Sequence, residues 1–511
     1  MNSFIEDVDK LREIYCRTYQ VNRTSFLAAF NRETRLAEDY NGRQILELLQ
    51  NADDAHAKNV RIKLNRINNT ISIANTGRNE DSFSVAGVES LLVSDFSPKS
   101  KWSSIGNKGL GFRSLISWCD CIKIKSNSCC LTFSKEVAYN FLTSKIKDPS
   151  KKDSGLGYSD DDINSINMEK EYKPDSVCFP ILGIPKIDSQ EDFCYSKDNN
   201  ENNWITEIEL TYKKDPEILK AIEYQISEKG LNDNILLFLN NIKKIIIEDE
   251  LGTIRVITSQ VKETIIDEEY TFFVKEINGI LWNIYSSAGE YPEYTKDNIK
   301  LANKTPKYSA MIAWKDTNLA MNNLYTYFPT QITLKLPFII HGSFKIDTAR
   351  NHLIQEDVGF KNNEFIFDKI ITLIEKGIRK IQSKTKESNW ESFKFIQSEN
   401  LPQDTNYFNE KLENLKQTLA IYPAVNNTYL TRDAYIYYSD EWSVFSCNEK
   451  YKNIYCEMVK AKNKEDHTEI ISKIYPPDVL KQKIEKTLEL MDDGNALGER
   501  QGFSMKKGSE L

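Results

Sequence analysis

Three side chains at helical spacing constrain this chain more than anything else in it. They are Glu47, Asn51 and Asp54, in the run Glu47-Leu48-Leu49-Gln50-Asn51-Ala52-Asp53-Asp54-Ala55. Gaps of four and then three positions stack side chains along one side of an α-helix. An acid, an amide and a second acid therefore share one face, beside apolar Ile45, Leu46, Leu48 and Leu49. A face like this is ordinarily solvated. A second segment changes the reading: Ile105-Gly106-Asn107-Lys108-Gly109-Leu110-Gly111-Phe112-Arg113.

Gly106, Gly109 and Gly111 put no side chains between the backbone and a ligand, so N–H groups can approach an anion closely. From Gly111 through Trp118 the sequence reads as a helix start, whose unpaired N–H groups and positive dipole end suit phosphate. Lys108 adds a charge there. The P-loop pattern G-x-x-x-x-G-K-[ST] is absent, and the glycine spacing does not fit the G-x-G-x-x-G of dinucleotide folds. Together the two segments read as a pocket for a magnesium ion and a nucleotide, built without a P-loop.

At these residues the chain resembles the GHKL ATPases, a superfamily that includes gyrase, MutL, MORC proteins, sensor histidine kinases and the large heat-shock chaperone. It is most similar to the heat-shock chaperone and sacsin branch. The resemblance implies an α+β fold: a two-layer sandwich with a mixed, mainly antiparallel sheet and helices on one face, followed by an α/β transducer-like domain and a small C-terminal α/β region. It implies Glu47 as general base for the attacking water and Asn51 as magnesium ligand with Glu47 nearby. Asp54 and Ala55 would line the nucleotide pocket. Lys99 and the glycine motif, Gly106, Asn107, Lys108, Gly109, Leu110, Gly111 and Phe112, would close over the phosphates. The base role also follows from chemistry, since water attacking a γ-phosphate needs orientation and a proton acceptor.

One element departs from the family pattern. Its second motif carries an Asp that accepts the adenine amino group, usually before a glycine turn. Here Ile71-Ser72-Ile73-Ala74 runs into Asn75-Thr76-Gly77, with Asn at that place. An Asn carbonyl can accept the same bond with less charge assistance, so Asn75 and Gly77 stay in the expected site. Further on, Trp204-Ile205-Thr206-Glu207-Ile208-Glu209-Leu210 alternates as a half-buried strand. It resembles the family strand whose Thr binds near adenine, which assigns Thr206, although the preceding Gly is missing.

Composition agrees. A chain of 511 residues has room for two to four domains. Charged residues make up 28% and the net charge is -8, which gives no general bias toward nucleic acid or anionic membrane. No apolar run of 18 or more residues appears and the N-terminus lacks a signal-peptide pattern, so a cytoplasmic protein with no membrane partner is expected. Nine Cys without C-x-x-C spacing, and only four His, argue against zinc sites or a disulfide framework. Cys119, Cys121, Cys129 and Cys130 fall in strand-like segments as small apolar residues.

Periodicity divides the chain as follows. Residues 3–19 form an amphipathic helix, about 35–56 a long helix with the acid motif, and 59–65 and 70–75 strands. The polar segment from Leu91 to Lys108 fits a lid over the nucleotide, and about 144–203 a polar insertion. The ATP-binding domain is expected over 1–264 and a transducer or middle-like domain over 265–358. Strand-like runs there fall at 270–274, 280–285, 309–313 and 336–344. A helical linker and small terminal domain would occupy 359–511, with a helix at 360–384 and a hairpin at Tyr422 to Tyr429. Tyr327-Phe328-Pro329-Thr330 and the run after Leu336 resemble the transducer, and Arg350 looks like the loop residue that reaches back to the γ-phosphate.

The function expected is Mg-dependent ATP binding and hydrolysis that drives lid closure and homodimerisation, in a chaperone-like or conformational-switch protein. Two alternatives stand beside it: a MORC-like DNA clamp, as in anti-phage defence, and an ATP-binding scaffold without turnover. A histidine kinase is disfavoured, because no phosphoacceptor His helix precedes the motif. Whether the partner is a protein client or DNA stays open at this stage.

Overall fold

Apolar residues at alternate positions build most of the molecule into sheet. The structure, a computed structural model, describes residues 2–21, 28–35, 42–78, 80, 82–92, 111–126, 129–138, 140, 180–189, 204–267, 269–292, 307–347, 351–355, 357–424, 426–432, 435–436, 458–459 and 482. The first-half strands are β1 (Asn59–Asn65), β2 (Thr70–Thr76), β3 (Cys119–Ser126), β4 (Cys129–Ser134), β5 (Lys186–Ser189), β6 (Trp204–Tyr212) and β7 (Lys244–Asp249). A long β8 (Gly252–Ile266) leads to β9 (Thr271–Ile277), β10 (Ile280–Glu290), β11 (Lys307–Trp314), β12 (Ala320–Thr326), β13 (Phe328–Leu336) and β14 (Ile339–Gly342).

These strands join in the order β13-β12-β14-β11-β10-β9-β8-β7-β1-β2-β6-β3-β4-β5. Neighbours run antiparallel except β1 with β7 and the contact of Tyr325 in β12 with His341 in β14. The α+β class with a mixed, mainly antiparallel sheet is thus realised. β8 belongs to both halves: residues 252–258 pair with β7 and residues 259–266 with β9. Its many Thr, Val and Ile residues favour so long an extended run.

Helices α1 (Asn2–Val21), α2 (Gln44–Asp54), α3 (Val85–Leu92) and α4 (Pro216–Ile226) serve the first half. Val8, Ile45, Leu48, Leu49, Val88 and Ile222 from them bury against Ile62, Ile73, Ile208 and Ile245 of the sheet. In the second half α5 (Asp357–Gln382) buries Ile366, Ile370 and Leu373 in one cluster with Ile312, Trp314 and Ile340. Gly342 permits this approach, since a Cβ there would stand 2.5 Å from Ile366 Cγ2. The first cluster runs on through Ile277, Trp282, Ile284, Tyr325 and Phe328, so the two halves share apolar contact.

The N-terminal helix, β1, β2, β6, the helix after residue 357 and the Tyr422–Pro423 with Tyr429–Leu430 hairpin stand where the periodicity placed them. Three expectations change. The motif helix starts at Gln44 rather than near 35, because Gly42 takes a left-handed φ of +90° and turns the chain. The element after the glycine motif is a short 3₁₀ helix, Gly111–Ser117, that passes almost directly into β3. The run 336–344 is two strands, β13 and β14, split at Pro337, whose nitrogen has no hydrogen to give a ladder. The expected lid, most of the polar insertion and Arg350 lie outside the described residues. No helix among the described residues is long and apolar enough to cross a membrane.

Candidate functional site

The motif helix is held by buried polar groups at both ends. Its first N–H groups have no partners within the helix, and the Arg43 side chain at the N-cap does not cap them. Another element supplies one instead: Gln225 of α4 accepts the Ile45 N–H at 3.0 Å and donates from Nε2 to Gln44 Oε1 at 2.8 Å. Gln44 in turn donates to Ser117 Oγ at 3.0 Å, tying α2 to the tail of the glycine motif. Lys213 Nζ caps the end of that tail through the carbonyls of Ile116 and Ser117, at 3.3 and 3.1 Å.

At the other end, Asp53 and Asp54 take opposite parts. Asp53 is buried, and its carboxylate accepts the N–H groups of Asn240, Asn241 and Ile242 at 3.2, 2.8 and 2.9 Å. Burial raises its pKa, and the three N–H donors oppose the rise. Asp53 is an anchor. Asp54 lies one residue on, half-buried, and so does Asn51, while Glu47 is buried at 8% exposure. With Gln44, Ile45, Leu48, Leu49, Gln50, Ala52 and Asp53 all buried, the stripe through Asn51 and Asp54 is the less buried polar side of this helix.

Strand register assembles a second polar group that periodicity could not reveal. Across β2, β6 and β3, Ile71, Leu210 and Ile122 stand side by side, and so do Ile73, Ile208 and Ile124. The next row on the same face is Asn75, Thr206 and Ser126. Two apolar rows thus end in a polar one, at 7%, 6% and 3% exposure. Ser126 Oγ lies 2.9 Å from Thr206 Oγ1, lies 3.1 Å from the Ile205 carbonyl and accepts the Phe83 N–H at 3.1 Å. Asn75 donates from Nδ2 to the Thr76 carbonyl at 3.3 Å. Chain connection and register put the end of α2 and this row toward the same end of the sheet. After Asp54 a short turn leads to β1, where Asn59 donates its N–H to Thr76 Oγ1 at 3.0 Å and Val60 pairs with Asn75. Sequence reading singled out Asn75 and Thr206 but not Ser126, whose place depends on register across two strand pairs.

Of the glycine motif, Gly111 and Phe112 are described, and Phe112 is a buried core residue rather than an open lining group. Just after it, fully buried Arg113 donates from Nη2 to the Leu91 carbonyl at 2.7 Å, joining the flanks of the 93–110 segment. Lys99, Gly106, Asn107, Lys108, Gly109 and Leu110 lie outside the described residues. Ala55 and Gly77 are half-buried, next to Asp54 and to Thr76.

The second half reaches the motif helix. Arg43 donates to the Pro329 carbonyl at 3.3 Å. The Tyr327 phenol is pushed up to about 12 by burial and by the charges of Asp54 and Asp53, with Asn240 hydrogen-bonded to it. Tyr327 itself sits at φ +69°, and its N–H donates to Nδ1 of buried His341 at 3.0 Å. Burial pulls that imidazole down to about 3, so it stays neutral, stacked on Phe238 with ring centroids 4.9 Å apart. Lys275 of β9 donates to the Leu236 and Leu237 carbonyls, the latter at 3.1 Å. Lys275 and Asp53 therefore both hold the loop after Leu236.

Oxygen donors on α2, an amide and carboxylates, match what Mg²⁺ takes. Among the described residues no group of three or more His, Cys, Asp or Glu is placed to hold a metal ion. The protein part of such a site would be one or two ligands, with phosphate oxygens and water completing the shell, which is the way Mg²⁺ is held in nucleotide sites.

No protein-family model and no curated protein match this chain. Solved structures similar to it include the ATPase and transducer domains of DNA topoisomerase II from Balamuthia mandrillaris, at 10% identity and a TM-score of 0.24, covering 48% of this chain and 56% of that one. The ATPase region of Saccharomyces cerevisiae topoisomerase II has the same identity and TM-score, with 49% and 58% covered. The N-terminal domain of a DNA repair protein matches at 10% identity and a TM-score of 0.25, over 50% of this chain and 72% of that one. The chain thus spans a little over half the length of the topoisomerase structures.

Proposed function

We propose that this chain binds a magnesium–purine nucleoside triphosphate, ATP in the first instance, and hydrolyses its γ-phosphate. What supports the reading is that two polar groups lie toward the same end of the sheet: the stripe through Asn51 and Asp54, and the Asn75–Thr206–Ser126 row. In a face otherwise built of Ile and Leu, such a row suits a polar occupant. A base fits over it, and the phosphates then extend toward α2.

In this reading Glu47 orients and deprotonates the attacking water, and Asn51 provides the protein oxygen for the magnesium ion that neutralises phosphate charge. Asp54 and Asn75 fix the nucleoside end. Arg350, after β14, is assigned to the γ-phosphate, where a planar, permanently charged fork suits the transition state. The proposal includes closure of the 93–110 segment over bound nucleotide, pairing of two copies and use of the cycle as a conformational switch on a protein client. Division into an ATP-binding unit over 1–264, a transducer-like unit over 265–358 and a smaller region over 359–511 belongs to the same proposal.

Calorimetry of the full chain with a non-hydrolysable ATP analogue, with and without Mg²⁺, tests the binding step, and steady-state phosphate release tests turnover. Magnesium-dependent binding with turnover supports the reading. Binding without turnover reduces it to a scaffold, and no binding removes it. Stimulation of turnover by duplex DNA, but not by an unfolded protein, would replace the client with a DNA clamp.

A further inference from the structure

We infer that the base pocket reads its purine through a neutral amide edge, and therefore takes 6-oxopurine nucleotides such as GTP as well as ATP. This rests on the nucleotide reading above and concerns which base that site accepts. The side chain that carries it is Asn75. Its Nδ2 spends one hydrogen on the Thr76 carbonyl at 3.3 Å, and that bond fixes which end of the amide is nitrogen. Its Oδ1 makes no hydrogen bond among the described residues, although the residue is only 7% exposed. What remains for a ligand is one acceptor and one donor hydrogen.

The proton order in the rest of the row follows from counting. Ser126 has one hydroxyl proton and two oxygen neighbours, the Ile205 carbonyl at 3.1 Å and Thr206 Oγ1 at 2.9 Å. A carbonyl can only accept, so the Ser126 proton goes to Ile205 and the Thr206 proton goes to Ser126. Ser126 also accepts the Phe83 N–H, which fills its remaining place. Thr206 is left as an acceptor in the row.

An acceptor at Thr206 beside an acceptor–donor pair at Asn75 does not select the adenine edge. Adenine offers a donor at its 6-amino group and an acceptor at N1; guanine and hypoxanthine offer an acceptor at O6 and a donor at N1. The amide meets a 6-amino group with Oδ1 and a 6-oxo group with the second Nδ2 hydrogen, the first staying on the Thr76 carbonyl. Guanine N1–H then finds the Thr206 acceptor, whereas adenine N1 needs a bridging water. A carboxylate at position 75 would offer acceptors alone and would turn O6 away.

The experiment is a competition series on the full wild-type chain with a fluorescent ATP analogue and Mg²⁺, displaced by ATP, GTP, ITP and UTP, repeated with Asn75→Asp. ATP, GTP and ITP are expected to displace within about tenfold of one another and UTP far more weakly. Asn75→Asp is expected to widen the ATP preference over GTP by about tenfold or more, the scale of one mismatched buried polar contact. Wild-type binding of ATP with exclusion of GTP and ITP overturns the inference while leaving the nucleotide reading intact. Equal displacement by UTP also overturns it, because the base is then not read. Failure of every nucleotide to bind defeats the nucleotide reading and this inference together. The wild-type series decides the matter even if Asn75→Asp does not fold.

Discussion

Asn75 of β2 and Thr206 of β6 stand directly opposite each other in the antiparallel register, 7% and 6% exposed, on the face that buries Ile73 and Ile208 one row further along. Two polar side chains that close an apolar ladder in register frame the chemistry proposed for α2. The first expectation tests that chemistry. Glu47→Gln should retain nucleotide affinity and lose turnover by roughly a hundredfold or more, the scale of a positioned base. Asn51→Ala should instead weaken binding in magnesium and little in its absence. Turnover unchanged in Glu47→Gln, measured by phosphate release, removes Glu47 from the base role.

Adjacent acids should behave as opposites. Asp53→Ala leaves the N–H groups of Asn240, Asn241 and Ile242 without their acceptor, and should cost roughly 3 kcal/mol or more of stability. Asp54→Ala should leave the melting temperature near that of the parent and reduce nucleotide affinity instead. Denaturant melts and calorimetry on the pair decide it; equal destabilisation by both would contradict the division of roles.

Lys275 gives stability a pH dependence. The amine is 3% exposed, hydrogen-bonded to backbone carbonyls, and burial pulls it from 10.5 to about 7. Between those values the unfolded chain holds a proton that the folded chain has released. Stability from this site is therefore full above 10.5 and is lost as pH falls toward 7. Lys275→Met should flatten this part of the profile in thermal melts from pH 7 to 10. An identical slope in the variant would show that the amine does not titrate in the fold.

Packing between α5 and β14 supplies a further expectation. A Cβ on Gly342 would meet Ile366 Cγ2 at 2.5 Å and Phe344 Cε2 at 2.7 Å, so Gly342→Ala has to push apart two buried side chains. The expected loss is about 1–3 kcal/mol, as for overpacked cores. Pairing it with Ile366→Ala, which removes that Cγ2, should cost less than the two single losses added together, and strict additivity would refute the contact.

What the sequence determined by itself is local. Alternation in residues 59–65, 70–76 and 204–212 specified strands with Ile62, Ile73 and Ile208 on one face, because a period of two leaves a half-buried strand no other way to sort its side chains. The four-and-three spacing put Glu47, Asn51 and Asp54 on one side of a helix for the same kind of reason. Local pattern could not say where that helix begins, since the stop is the left-handed φ of Gly42. Spacing set Asp54 apart from Asp53 but could not give Asp53 its part, which exists only because the loop 240–242 comes back beside it. The Gln44–Gln225 pair and the Asn75–Thr206–Ser126 row joins residues far apart in the chain, brought together by packing and strand order. Tertiary structure decided these because a polar side chain's role depends on which backbone groups and neighbours meet it once water is excluded, and those partners come from the whole chain.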